Sequence, residues 1–367
     1  SAWRFQGWTK SAICNLQSAI CNLQSAICMP YLLVFATAVL SALILTPLAA
    51  RLGYRWGMTA SPGGRRLHRG VISRTGGLGI FFPFLLALAV GLALQVPTAD
   101  PNEPRRLLGL VLGSIWMFLV GLADDRWDLS PRRQLLAQLV AGAIAIATLI
   151  FIERVNNPLT NQVIVFPMPV VIVLTLFWIA GMINTVNWLD GLDGLAAGVA
   201  AILCVVLAVH MHRVGQPSVA LLPIALLGAT LGFLPYNFHP ARVFMGSNGA
   251  FFLGYALGCL GIMAGARVAT VLLVMGIPIA DVAWQIVDRL RHRRSPTQGD
   301  RGHLHFRLLD LGLPQPVIVL AYWAFCGVFG VLALTVSSRL YKLLALLALG
   351  GAVVLLLALL ARRSSDR

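Results

Sequence analysis

Asn184, Asn187, Asp190 and Asp193 recur at every third position at the end of an apolar run from Pro169 to Met182. At a helical 100° per residue, a step of three returns to within about 60° of the same direction, so the first three line one side of a helix end. Gly191 and Gly194 loosen the backbone, and Asp193 hangs on the turn before the next apolar run begins. Two amides and two carboxylates where a helix leaves a bilayer suit magnesium, phosphate and a nucleotide. A polar helix cap would need one such residue, not four.

Three further segments carry chemistry. Asp124 and Asp125 end another apolar run, and adjacent carboxylates point about 100° apart on a helix, so one can face a metal and the other a proton. Two close carboxylates also repel, which raises one pKa unless a cation is present. A solvated cap with Arg126 as counter-ion is the alternative. The loop from Arg289 to Gly312 holds His303 and His305 two apart, downstream of Arg289, Arg291, Arg293 and Arg294, a surface that attracts pyrophosphate or phospholipid. A lipid-anchoring loop explains the arginines equally well but does not ask for two histidines. Ser61 to Gly77 is a glycine-rich basic loop, with Arg65, Arg66 and His68 at its centre, able to cradle an anion.

The elements that position these groups follow from composition. The chain is 58% hydrophobic and 11% charged, with a mean hydropathy of +0.83, against about 25% charged residues in soluble domains. It is an integral membrane protein of all-α class. The net charge of +15 invites a nucleic-acid partner, but the basic residues cluster in short loops between apolar runs, as positive-inside topology and contact with anionic lipid require. No nucleic-acid role is expected.

Residues 1–28 stand apart. Ser11 to Cys28 repeats Ser-Ala-Ile-Cys-Asn-Leu-Gln, and the DNA unit CAATCTG read through its three frames returns that peptide. The segment reads as a repeat-derived extension or mis-called start, with Met29 the expected initiator and residues 29–367 the membrane-embedded domain. It has no continuous apolar core of the kind a signal peptide needs. Cys14, Cys21 and Cys28 belong to the repeat, and Cys204, Cys259 and Cys326 lie singly in apolar runs, so neither zinc nor a disulfide framework is indicated.

About eleven apolar segments reach, or nearly reach, the length of a bilayer-spanning helix: 30–50, 76–97, 107–123, 134–152, 169–189, 195–212, 217–236, 249–265, 268–287, 316–335 and 341–361. The third and eighth are short. If the crossings alternate, the arginine-rich loops after the first, third and ninth segments and the C-terminal tail share one side, which the positive-inside rule makes the cytoplasm. The polar motifs fall on that same side. A transporter would place its ionisable residues nearer the bilayer midplane.

In this order the motifs resemble the polyprenyl-phosphate N-acetylhexosamine-1-phosphate transferases of glycosyltransferase family 4. The resemblance runs from about Met29 to the end, through Arg65–His68 with Arg74–Gly77, Asp124–Asp128, Asn184–Gly194, Met245-Gly246, Pro278–Asp281 and Asp300–His305. The last stretch is similar to the undecaprenyl-phosphate N-acetylglucosaminyl-1-phosphate branch more than to the muramyl-pentapeptide branch. Such enzymes move a sugar phosphate from a UDP-sugar onto a lipid phosphate and release UMP, and the resemblance implies UDP-GlcNAc and undecaprenyl or similar polyprenyl phosphate here, to prime cell-envelope polysaccharide.

The resemblance implies a multi-pass protein of the inner membrane with a cytoplasmic, magnesium-dependent site, manganese being the alternative ion. It implies that Asp124 or Asp125 deprotonates the lipid phosphate or helps hold the metal, and that Asn187 is a metal ligand. Asp190 and Asp193 would lie near the pyrophosphate and nucleotide, and His303 and His305 would contact phosphates. Arg65, Arg66, His68, Asn184, Asn248 and Arg301 are the further expected substrate contacts. The family reads Met-Gly-Asp-x-Gly-Ser where this chain has Met245 to Ala250, so Ser247 occupies the expected metal-binding aspartate position. Phe306 likewise stands where a further histidine is usual. Two rivals follow: a transporter or flippase of lipid-linked sugars, and a non-catalytic homologue that binds lipid or nucleotide. Oligomeric state is not set by the sequence.

Overall fold

The computed structural model describes residues 2–60, 70–98, 100–265, 268–291 and 302–365, with side chains described between residues 28 and 359 of these. The architecture is helical. In chain order the helices are α1 (Ala2–Trp56), α2 (Leu78–Ala93), α3 (Glu103–Trp127), α4 (Pro131–Ala147), α5 (Met168–Leu189), α6 (Leu195–Arg213), α7 (Pro217–Asn237), α8 (Gly246–Met263), α9 (Val268–Val274), α10 (Gly276–Arg291), α11 (Leu304–Asp310), α12 (Gln315–Thr335) and α13 (Arg339–Ser365). Two short antiparallel ladders join Thr59–Ala60 to Ile72–Ser73 and Arg154–Asn156 to Val163–Val165.

Among the described residues, eight helices are long and apolar enough to cross a membrane, or nine if α9 and α10 count as one bent span. This is a multi-pass membrane protein. Each of the eleven expected segments is helical, but the count of crossings is smaller. Helix α2 is a shorter apolar helix, and α4 closes at Ala147, short of the expected residue 152. The third segment corrects the other way, because α3 takes in Glu103–Arg106 and Asp124–Trp127 and reaches 25 residues. The ninth segment breaks, with α9 and α10 meeting at 85°. Pro278 explains the place: it has no N–H to give Val274, and its ring crowds that carbonyl.

Helix α8 is the axis of the bundle, buried along its whole length and packed against α3 and α5 above all. In a bilayer, small residues let helices approach closely enough for backbone and side-chain contact. A Cβ at Gly121 of α3 would overlap the backbone of Ser247 and Asn248, and one at Gly113 would overlap the Tyr255 ring. The contact is sealed by polar bonds: Tyr255 Oη donates to Gly109 O at 2.9 Å and Trp178 Nε1 to Gly258 O at 3.0 Å. Against this, α13 and α1 leave most of their surface outward, as lipid-facing helices do.

Alternation of direction gathers the ends of the helices. The C-terminal ends of α3, α5 and α7 meet the N-terminal ends of α2, α6 and α8 around one pocket. At the other end of the bundle Ser218 of α7 bonds Glu103 of α3 and Tyr31 of α1 bonds His212 of α6.

Candidate active site

The pocket has a volume of about 600 Å³ and is lined by Arg74, Asn187, Asp190, Asp193, His239 and Ser247, with Phe306 and Leu309 on its apolar side. Its frame is set by Asp125. This carboxylate, fully buried, reaches from the end of α3 to the start of α8. There Oδ1 accepts the Ser247 N–H at 3.1 Å, and Oδ2 accepts the Asn248 N–H at 2.9 Å and the Asn248 side-chain amide at 2.6 Å. Arg74 Nη2 pairs with Oδ1 at 2.9 Å. The first N–H groups of a helix lack internal partners and favour a negative charge, so Asp125 acts as a cap supplied by another helix. Gly246 makes the close fit possible: it adopts φ +74°, and a Cβ there would overlap Arg74 O.

Asp124 points elsewhere. Its Oδ1 accepts the Leu129 N–H at 3.0 Å and the Gln134 amide at 2.8 Å, holding the turn between α3 and α4. Of the four acids expected at the site, Asp124 and Asp125 do not line the pocket and Asp193 does; so does Asp190. Its carboxyl is held well above the ordinary range, first by desolvation in the pocket wall and then by the negative charges of Asp125 and Asp193, with Arg74 opposing. Asp193 Oδ2 accepts the Ala241 N–H at 3.1 Å and lies 3.0 Å from His239 Nδ1. Asn237 ties that loop to the acidic turn, accepting the Gly194 N–H at 3.1 Å and donating to Val243 O at 3.0 Å.

Several expected contacts lie off the pocket. Asn187 and Asp190 share it, but Asn184 does not; its amide exchanges bonds with Gln138 of α4 at 2.8 and 3.1 Å and serves helix packing. Two amides facing each other inside a bundle satisfy each other, which a helical wheel of one segment cannot reveal. Asn248 sits behind Asp125, its side-chain N–H₂ used by Asp125 and Arg74 O, and its Oδ1 buried without a partner. His303 and His305 lie behind the wall. Burial pushes His305 down to about 3, so its ring is neutral at physiological pH. Neither of its nitrogens has a hydrogen-bond partner. Phe306, against the His305 ring at 4.3 Å, does reach the pocket. Arg65, Arg66, His68 and Arg301 lie outside the described residues.

Arg74 belongs to the glycine-rich basic loop expected to cradle an anion and is tied to Asp125, whereas Asp281 lies in a motif of the resemblance without an expected role and binds the start of α11. His239 carried no signal beyond its place in a loop on the motif-bearing side. Ser247 lines the pocket next to Asp190, and among the described residues no three His, Cys, Asp or Glu side chains cluster as a ready-made metal site.

Long apolar helices, with acids, amides and an arginine converging at one end of the bundle, define a multi-pass membrane protein with a polar pocket. Residues 107–265 match glycosyl transferase family 4. A probable undecaprenyl-phosphate N-acetylglucosaminyl 1-phosphate transferase of Bacillus subtilis strain 168 is 29% identical over 83% of this chain and 84% of its own length. A decaprenyl-phosphate N-acetylglucosaminephosphotransferase of Mycolicibacterium smegmatis is 31% identical over 81% of the chain and 79% of its own. A phospho-N-acetylmuramoyl-pentapeptide-transferase of Symbiobacterium thermophilum is 31% identical over 76% and 86%. The chain belongs to glycosyl transferase family 4.

Proposed function

We propose that this protein transfers N-acetylglucosamine 1-phosphate from UDP-N-acetylglucosamine to undecaprenyl or a similar polyprenyl phosphate at the cytoplasmic face of the inner membrane, priming a cell-envelope polysaccharide. An oxygen of the lipid phosphate attacks the β-phosphorus, the bond to the UMP oxygen breaks, and UMP leaves. The observation that carries this reading is the pocket itself: Arg74, Asn187, Asp190 and Asp193 converge where helix ends meet, in a chain whose relatives bear the names of such transferases.

The chain's own residues take these parts. Arg74, anchored by Asp125, presents the remaining edge of its guanidinium to a diphosphate. Asp190 lines the pocket, where its carboxylate can take the proton of the attacking phosphate. His239 and Asp193 bound the part of the pocket farther along the α7–α8 loop and suit the nucleotide.

The donor set also suits magnesium, or manganese. Asp190, Asn187 and the Ser247 hydroxyl share the pocket, and a cation there would offset the crowding of acids that raises Asp190. Magnesium is commonly held by one or two carboxylates with substrate phosphates and waters, so a site without three protein acids still fits. When bound, the ion supplies neutralisation of charge on the diphosphate. Purified protein with undecaprenyl phosphate, magnesium and a panel of UDP-sugars should release UMP with UDP-N-acetylglucosamine. Ser247 and Phe306 favour a second reading, a homologue that binds nucleotide or lipid without turnover. Saturable UDP-sugar binding with no UMP release would select it.

A further inference from the structure

Behind the pocket wall lies a buried polar chain that the proposed reaction does not use directly. Asp281 of α10 is buried and grips the start of α11 twice: Oδ2 lies 2.9 Å from His303 Nδ1, and Oδ1 accepts the Leu304 N–H at 2.9 Å. Gln285, one turn along α10, bonds Gly302 O. An ionised carboxylate only accepts, so the His303 nitrogen facing it carries the proton, and in the neutral ring Nε2 is left as the acceptor. The His303 ring lies parallel to His305, 8° apart with centroids at 5.6 Å, and packs at a tilt on Trp188. His305 Nε2 in turn faces Gly191, where a Cβ would overlap it and the Phe306 ring. A continuous contact therefore runs from Asp281 through His303 and His305 to Gly191, one residue from Asp190.

We propose that Asp281 is a positioning residue that fixes the Nδ1–H form of His303, seats α11 through Leu304, and thereby holds His305 and Phe306 against the Asp190–Gly191 turn. This rests on the transferase reading of the pocket and adds a specific device to it. Metal-site practice offers the parallel: groups that orient a neighbouring imidazole are worth about 10–100-fold in activity when removed. A carboxylate serving stability alone would show no such dependence on which ring nitrogen is protonated.

Asp281→Asn separates the two cases. It keeps the size of the side chain and an acceptor for the Leu304 N–H, but it offers an N–H₂ to His303, which must then move its proton to Nε2. The full chain, labelled with ¹⁵N-histidine in lipid nanodiscs, is compared as wild type, Asp281→Asn and, for assignment, His303→Gln. The expected spectrum has His303 protonated at Nδ1 in wild type and at Nε2 in Asp281→Asn, with the His305 resonance displaced and the melting temperature close to wild type. In the UMP-release assay kcat should fall about tenfold or more, with little change in KM for the UDP-sugar. An unchanged tautomer, an unmoved His305 resonance, or a wild-type kcat in Asp281→Asn overturns the proposal. If the wild type itself releases no UMP, the transferase reading fails separately, and the two resonances still decide whether Asp281 positions the histidines.

Discussion

At the scale of single residues, the acids divide between structure and pocket. Asp125 is the more structural: replacing it with Ala strands the Ser247 and Asn248 N–H groups, each costing about 1–3 kcal/mol. Asp125→Ala should therefore melt far below wild type, and Asp125→Asn, which keeps an acceptor, should fall between them in the same thermal scan. Asp190 should behave in the opposite sense. Its folded pKa is raised, so its ionisation opposes the fold once pH rises above the ordinary carboxylate value, and the loss levels off only above the raised value. In EDTA, Asp190→Asn should outlast wild type in melting at neutral pH while releasing little UMP. Added magnesium should raise the melting temperature of wild type but not of the variant; an equal response in both would remove Asp190 from the metal. Ser247→Asp places another acid in the same pocket, so it should melt lower in EDTA, recover with magnesium, and reach half-maximal UMP release at a lower magnesium concentration than wild type.

Elements matter here through their ends. The start of α8 is held between α2 and α3 because glycine occupies the crossing points, and Gly246 combines a left-handed backbone with a backbone oxygen, Arg74 O, where Cβ would go. Gly246→Ala carries about 1–2 kcal/mol for the backbone conformation, and the overlap with Arg74 O adds to it. Lower melting together with lost UMP release is expected, since the same distortion moves Arg74, Asp125 and Ser247. A variant that melts lower but retains full turnover would separate the cap of α8 from the site. The break between α9 and α10 is the other consequential end, because it turns Asp281, Gln285 and Arg289 inward along one face of α10.

For the whole molecule, Arg74, Arg132 and Arg307 lie at the same end of the bundle as the pocket, and the hairpin of Arg154–Asn156 with Val163–Val165 marks the other. Topology is tested by labelling intact cells and inverted vesicles after Cys14, Cys21 and Cys28 are replaced by serine. Asp128→Cys, beside the pocket end of α3, should react only in inverted vesicles. Leu159→Cys, exposed at the hairpin tip, should react from outside. The reverse pattern would place the site on the far side of the membrane and remove a cytoplasmic UDP-sugar as its substrate.

Much of this was legible in one dimension. Long apolar runs leave no alternative to helices in a bilayer, because each backbone N–H and C=O must be satisfied within its own segment. Asn187 and Asp190 stay neighbours because they share one helix end, and Asp193 joins them from the turn that follows. What sequence could not assign was partnership across the bundle. Asn184 and Asn187 have the same side chain and the same surroundings in sequence, yet one is matched by Gln138 on α4 and the other is left to the pocket. Asp124 and Asp125 look interchangeable until α8 arrives beside one of them. Hydrogen bonds and close packing are pairwise and directional, so the role of each polar residue was decided by which helix came to lie against it.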